Sequence, residues 1–140
     1  MDATGQFLKR IDPPRDLAPL VEAFAGRKAR AGRAMFPVFP TARLELIFHF
    51  GDPFMVNAAE GEPLRPLPPA ALLGPRSRIC WQSAGPRIDW FMVQLTALGC
   101  RRLLGLSFAE AWHDEIALSD LWGPAAEALH DRLRAAGSFE

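Results

Sequence analysis

The sequence predicts an α+β domain, a small antiparallel barrel or sandwich with helices packed at its C-terminal end. Two observations carry this. From Met35 to Leu95, short apolar runs alternate with polar residues at period two and are closed by Gly or Pro. After Thr96 the apolar spacing changes to that of helices. Strands first and helices last is the order of a fold whose helices gather at one side or end of an antiparallel sheet.

The elements follow from local signals. Asp16 to Ala25 places Leu17, Leu20, Val21 and Phe24 on one helical face with Asp16 as N-cap, which predicts a short helix. Gly26 to Gly32 is basic and reads as a connection, or as part of a strand with a polar face. Met35 to Phe39 is a short strand that Pro37 confines to a sheet edge. The clearest strand follows: Leu44, Leu46, Phe48 and Phe50 point one way, and Glu45, Ile47 and His49 the other. Gly51-Asp52-Pro53 is a turn. Gly61 to Pro69 is proline-rich and predicts an exposed loop. Strands follow at Ala71 to Leu73, at Arg78 to Ser83 with Ile79 and Trp81 on one face, and at Arg87 to Leu95 with Ile88, Trp90 and Met92 alternating.

Leu98 to Leu104 suits a short helix stopped by Gly105. Ser107-Phe108-Ala109-Glu110 has the form of a capping box and predicts another helix. Gly123-Pro124 sets Pro at a helix start, where its missing N–H costs nothing. That helix is expected to run to Ala136, with an inner stripe of Ala125, Leu129, Leu133 and Ala136 and with Gly137 as its stop.

The chain has 140 residues, enough for a single domain over 1–140 with a core that needs no metal or disulfide. Its composition, 49% hydrophobic and 23% charged, is that of a globular protein. Sixteen basic residues balance sixteen acidic ones, so no net positive field draws this segment to nucleic acid. Cys80 and Cys100 lie far apart and form no C-x-x-C, which reads as two buried thiols. Met1 to Arg10 has no apolar signal region, and no stretch approaches the roughly 20 apolar residues of a membrane span. The expected location is the cytoplasm.

Three stretches carry a family resemblance. They are Pro40 to Pro53 (PTARLELIFHFGDP), Leu73 to Arg78 (LGPRSR), and Val93 to Gly105 (VQLTALGCRRLLG) followed by Ile116 to Gly123 (IALSDLWG). In this order and spacing the chain resembles the N-terminal sensing domain of AraC-family transcription regulators, from about Pro14 onward. The resemblance implies a cupin-like fold, a small-molecule effector, a homodimer, and DNA reached only through a helix-turn-helix half that is absent here. The chain departs from the family at Ala97, where proline is usual, at Cys100, where a small residue is usual, and at Thr41-Ala42, where Asp-Gly is common.

Six residues are candidates for a ligand pocket. Glu45 and His49 share a strand face roughly 13 Å apart, and are either polar anchors inside a pocket or residues of a solvated outer face. Trp81 and Trp90, read as lying on neighbouring strands, form either an aromatic pocket wall or plain core. Arg76 and Gln94 supply polar contacts, Arg76 as a guanidinium for a carboxylate or as an exposed loop residue. Leu129 and Leu133 on the last helix are the candidates for dimerisation, the alternative being packing on their own domain.

No enzyme is expected. Gly105 to Ala109 lacks the second Gly of a nucleophile elbow, and no phosphate loop or dinucleotide fingerprint occurs. His113, Asp114 and Glu115 lack a third metal partner at useful spacing, and no His-x-His occurs, so neither metal nor cofactor is expected. The alternatives are a small cupin-like enzyme and a ligand-free dimerisation module.

Overall fold

The structure, a computed structural model, describes residues 9–30, 32, 34–57, 61–112 and 115–136. Its strands are β1 (Lys9–Ile11), β2 (Val21–Arg30), β3 (Ala34–Val38), β4 (Leu44–His49), β5 (Met55–Val56), β6 (Arg65–Pro66), β7 (Ala70–Leu73), β8 (Cys80–Ala84) and β9 (Arg87–Leu95). Helix α1 (Ala97–Leu104), strand β10 (Glu115–Ala117), and helices α2 (Leu118–Trp122) and α3 (Pro124–Ala135) complete it. The strands form a six-stranded sheet in the order β1-β2-β9-β4-β7-β10 and a four-stranded sheet in the order β3-β8-β5-β6. Every strand pair is antiparallel. Among the described residues neither sheet closes on itself, so of the two expected forms, barrel or sandwich, the closed barrel is not seen and the strands form a pair of sheets.

The alternation on β4 explains the layering. Leu44, Leu46 and Phe48 belong to a core that also holds Cys100, Ala111, Leu118 and Ala126 from the helical side. Ile47 points the opposite way, into a second core with Phe54, Val56, Leu67, Ala71, Ala84 and Ile88. A strand in the middle of a sheet covered on both faces must be apolar on both, and five of the six residues of β4 are buried. The larger sheet is therefore the middle layer, with the smaller sheet on one face and the helices on the other.

Several expectations are corrected. Asp16 to Ala25 is not a helix. Its first part forms turns, with Leu17 and Ala18 N–H donating to the Pro14 carbonyl, and the chain is extended from Val21. Leu17, Leu20, Val21 and Phe24 fit a helical face, but Val21, Ala23 and Ala25 also alternate, and pairing with both β1 and β9 outweighs the weak local preference. The Ser107 capping box does form, with the Ser107 N–H donating to Glu110 Oε2 at 2.7 Å and the Glu110 N–H to Ser107 Oγ at 3.2 Å. It closes a turn and opens no helix, since one turn does not repay helix nucleation before β10 begins. The segment 61–69 is not all exposed loop: it holds β6 and the buried Leu67. The inner face of α3 is rotated by one residue, with Ala126 and His130 buried and Ala125 and Ala136 exposed. Gly137, the expected stop, lies outside the described residues.

Helix α1 is seated as its sequence predicts, ending at Gly105 with φ 71. The Thr96 hydroxyl caps it, accepting from the Gly99 N–H at 2.9 Å, and donates to the Pro19 carbonyl at 2.7 Å. Gly99 passes so close to the turn before β2 that a Cβ there would overlap the Leu20 carbonyl oxygen. That carbonyl also accepts from the Thr96 N–H at 3.0 Å, so it cannot retreat without loss. Gly99→Ala is expected to cost about 2 kcal/mol, read as a lower urea midpoint at unchanged slope. An unchanged midpoint would mean that α1 sits more loosely than described. No helix among the described residues is long and apolar enough to cross a membrane.

Candidate functional site

The two sheets leave a cleft between them at the end where β4 begins. Its apolar lining is Val38, Ile47, Phe54, Leu73 and Met92 with Gly74, and its polar lining is Thr41, Arg43, Glu45, Arg76 and Gln82, around about 80 Å³ of space. Alternation builds it. Gln82 lies two residues beyond the buried Cys80 on β8, and Arg43 and Glu45 lie two residues apart where the chain enters β4. The Thr41 and Arg76 backbones hold the mouth, each N–H donating to the other's carbonyl at 3.0 and 2.9 Å. Arg76 Nη1 reaches inward to Cys80 Sγ at 2.6 Å.

Register sets a row of three polar residues and Leu73 beside this cleft. Gln94, Glu45, Leu73 and Glu115 stand side by side across β9, β4, β7 and β10, and paired residues share a face. Arg10 Nη1 donates to Gln94 Oε1 at 2.6 Å. Burial pushes the Glu45 carboxyl above the usual carboxylate range, against the pull of Arg43, Arg76 and Arg10. Glu115 is raised by burial too, against Arg65, whose Nη2 lies 3.5 Å from its carboxylate, and against Arg76.

Of the six pocket candidates, Glu45 and Arg76 line the cleft, and Gln94 stands next to Glu45 in register. The alternative of a solvated outer face for Glu45 and His49 does not hold, because that face is covered by the smaller sheet. His49 sits at the far end of β4, beside Trp90. Its Nε2 accepts from the Phe54 N–H at 3.4 Å, and the Phe54 ring meets it edge-on at 5.1 Å. Burial pulls its pKa down to about 4, opposed in part by the Pro68 carbonyl and reinforced by His130. Trp90 packs near Phe54, 6.2 Å between ring centres, in the inter-sheet core.

Trp81 is not next to Trp90. It is on β8 in the smaller sheet, opposite Pro37, while the neighbours of β9 are β2 and β4. Alternation tells which residues share a face but not which sheet a strand joins, and the Gly85-Pro86 turn carries the chain from one sheet to the other. Trp81 is 37% exposed, among Met35, Phe39 and Ile79, which are exposed too. Arg76 is half-buried, not the exposed loop residue of the alternative reading.

Sequence reasoning missed Thr41, Arg43 and Gln82. The i, i+2, i+4 polar series Thr41, Arg43, Glu45 was the signal for the first two; Gln82 had none beyond its strand. His113 and Asp114 lie outside the described residues, which leaves Glu115 as the described member of that trio. Leu129 and Leu133 are partly buried against the chain's own helical-side core.

The opposite face of β4 meets α3. His130 Nε2 lies 2.6 Å from the His49 carbonyl oxygen and so donates to it. The His130 ring also lies 6.5 Å from that of Phe48 and 5.1 Å from that of Phe50.

A family model described as a domain of unknown function (DUF6597) matches residues 9–117. The matched stretch runs from the start of β1 to the end of β10 and so takes in both sheets and α1, with α2 and α3 beyond it. No curated protein and no solved structure matches the chain.

Proposed function

We propose, for a chain that belongs to the DUF6597 family, that it serves as the effector-sensing and dimerisation domain of an AraC-type transcription regulator. In this reading the two sheets are an opened cupin-like sandwich, and a small molecule occupies the cleft between them. The domain binds and performs no covalent chemistry. It acts in the cytoplasm as a homodimer, and DNA is reached through a helix-turn-helix domain outside this chain.

The observation that carries the reading is the position of β4. Its first residues place Glu45 in the cleft, and its last holds α3 through the His49 carbonyl and the buried His130. A ligand that prefers one seating of β4 thereby biases one seating of α3, which is the differential contact that a population shift requires.

The test is thermal unfolding of the chain against a metabolite library, with light-scattering mass measured on the same samples. A ligand at a hundred times its Kd adds about 2.7 kcal/mol, an upward shift of roughly 10 °C for a domain of this size. A hit whose shift disappears in Arg76→Gln supports sensing through this cleft. A dimer that no compound stabilises would replace the sensing role with a dimerisation module.

A further inference from the structure

We infer that the cleft is built for a short-chain monocarboxylate, held at its carboxylate by Arg76 and Arg43 and at its alkyl end by the apolar floor between the sheets. This rests on the cleft being the effector site and goes on to name what it takes.

Size is the first constraint. Sites for drug-sized ligands enclose roughly 300 to 1,000 Å³, against about 80 Å³ here. The enclosed space takes a group of a few heavy atoms, and a larger ligand would have to extend out of the cleft.

Charge is the second. Among the described residues neither Arg43 nor Arg76 has a carboxylate within 4.0 Å. Arg76 is half-buried with Nη1 committed to Cys80, which fixes the guanidinium in place. Two guanidinium groups of the lining, those of Arg43 and Arg76, stand against its one carboxylate, that of Glu45. Arg10, outside the lining, also acts on Glu45, and Arg76 also acts on Glu115. The lining itself therefore carries one positive charge more than negative. A planar guanidinium suits a carboxylate, which it can bind through two parallel hydrogen bonds.

The floor is the third. Ile47, Phe54, Leu73 and Met92 make one side of the cleft apolar; a tailed carboxylate covers it, whereas phosphate or sulfate would place oxygens against it without partners, at a cost in desolvation. A methyl to propyl tail is what this surface favours.

Glu45 makes the class testable. It opposes an anion when ionised, and its burial favours the protonated form, in which it donates to one. The charged groups around it are Arg43 ahead of β4, Arg76 after β7, Arg10 on β1, and Glu115 two strands away on β10. If the ligand is a carboxylate, Glu45→Gln keeps or strengthens binding. If it is a cation or a polyol, the same change removes its anchor.

The experiment is a titration of the full chain followed by backbone amide NMR, with sodium propionate against sodium chloride at matched ionic strength. Propylamine and 1-propanol serve as charge-reversed and neutral probes of the same shape. Propionate is expected to move the signals of Thr41, Gln82 and Met92 saturably in the millimolar range, and the other two are not. Arg76→Gln, checked for folding by its spectrum, is expected to weaken propionate at least tenfold, and Glu45→Gln to bind at least as well as the parent. Saturable binding of propylamine or propanol, loss of binding in Glu45→Gln, or unmoved cleft signals with propionate would each overturn the assignment. Library hits that are cationic or neutral would sink it and leave the sensing role standing. Propionate that binds without moving the α3 signals would uphold it and count against the relay.

Discussion

Phe48→Ala is expected to lower the unfolding free energy by about 4 kcal/mol, because the side chain is fully buried and its loss leaves a cavity that the sheet cannot close. Phe48 sits on the helical face of β4, its ring stacked 6.2 Å from that of Phe91 and 6.5 Å from that of His130. It joins the middle strand of the larger sheet to the helix proposed to carry the signal. A loss of that size is a large share of the 5 to 15 kcal/mol that holds an ordinary domain together. At roughly 4 °C per kcal/mol it lowers the melting temperature by about 15 °C. Phe39→Ala is the control, at 64% exposure just past the end of β3, and is expected to change stability by no more than about 0.5 kcal/mol. Two equal, small shifts would mean that the helices do not pack on the sheet as described.

The sequence was most legible where one strand carried its own pattern. The alternation from Leu44 to Phe50 identified β4, that from Ile88 to Met92 identified β9, and Pro37 marked β3 as an edge, which it is. Gly105 and Gly123-Pro124 marked helix ends correctly, since each acts through its own backbone. What failed depends on partners. Leu17 to Phe24 fits helix and strand alike, and only pairing with β1 and β9 decides between them. The sequence leaves Glu45 and His49 open between pocket and solvent, because nothing in β4 says that a second sheet covers its polar face. The same blindness placed Trp81 beside Trp90. Two of the five polar residues of the cleft, Glu45 and Arg76, are legible in the sequence, because they are charged residues inside apolar or Pro/Gly-bounded runs, and such residues need a compensating environment. Arg43 carries no such signal, because it stands just ahead of the strand, where charge is ordinary.

His49 makes the domain acid-sensitive over a defined range. In the unfolded chain its imidazole takes up a proton near the ordinary 6.5, and in the folded chain burial delays this to about pH 4. Protons therefore bind more readily to the unfolded state between those values. The stability that neutral His49 contributes is fully present above pH 6.5 and is lost as the pH falls toward 4. A gap of that width corresponds to about 3 kcal/mol. Glu45 and Glu115 work in the opposite direction. Their raised values mean that the folded state takes up protons first, so acidification relieves the cost of burying them ionised. Urea unfolding at pH 7 and at pH 4 gives the sum, and variants separate its parts. His49→Gln keeps an acceptor for the Phe54 N–H and cannot titrate, so its stability is expected to hold or to rise on acidification where the parent loses stability. Glu45→Gln is expected to steepen the parent's loss by removing an opposing contribution. Parallel curves for the parent and His49→Gln would mean that the acid sensitivity arises elsewhere. Separated curves would place it at the far end of the strand that bears Glu45, beside the carbonyl that holds α3, so that acid and a ligand in the cleft would both act on β4.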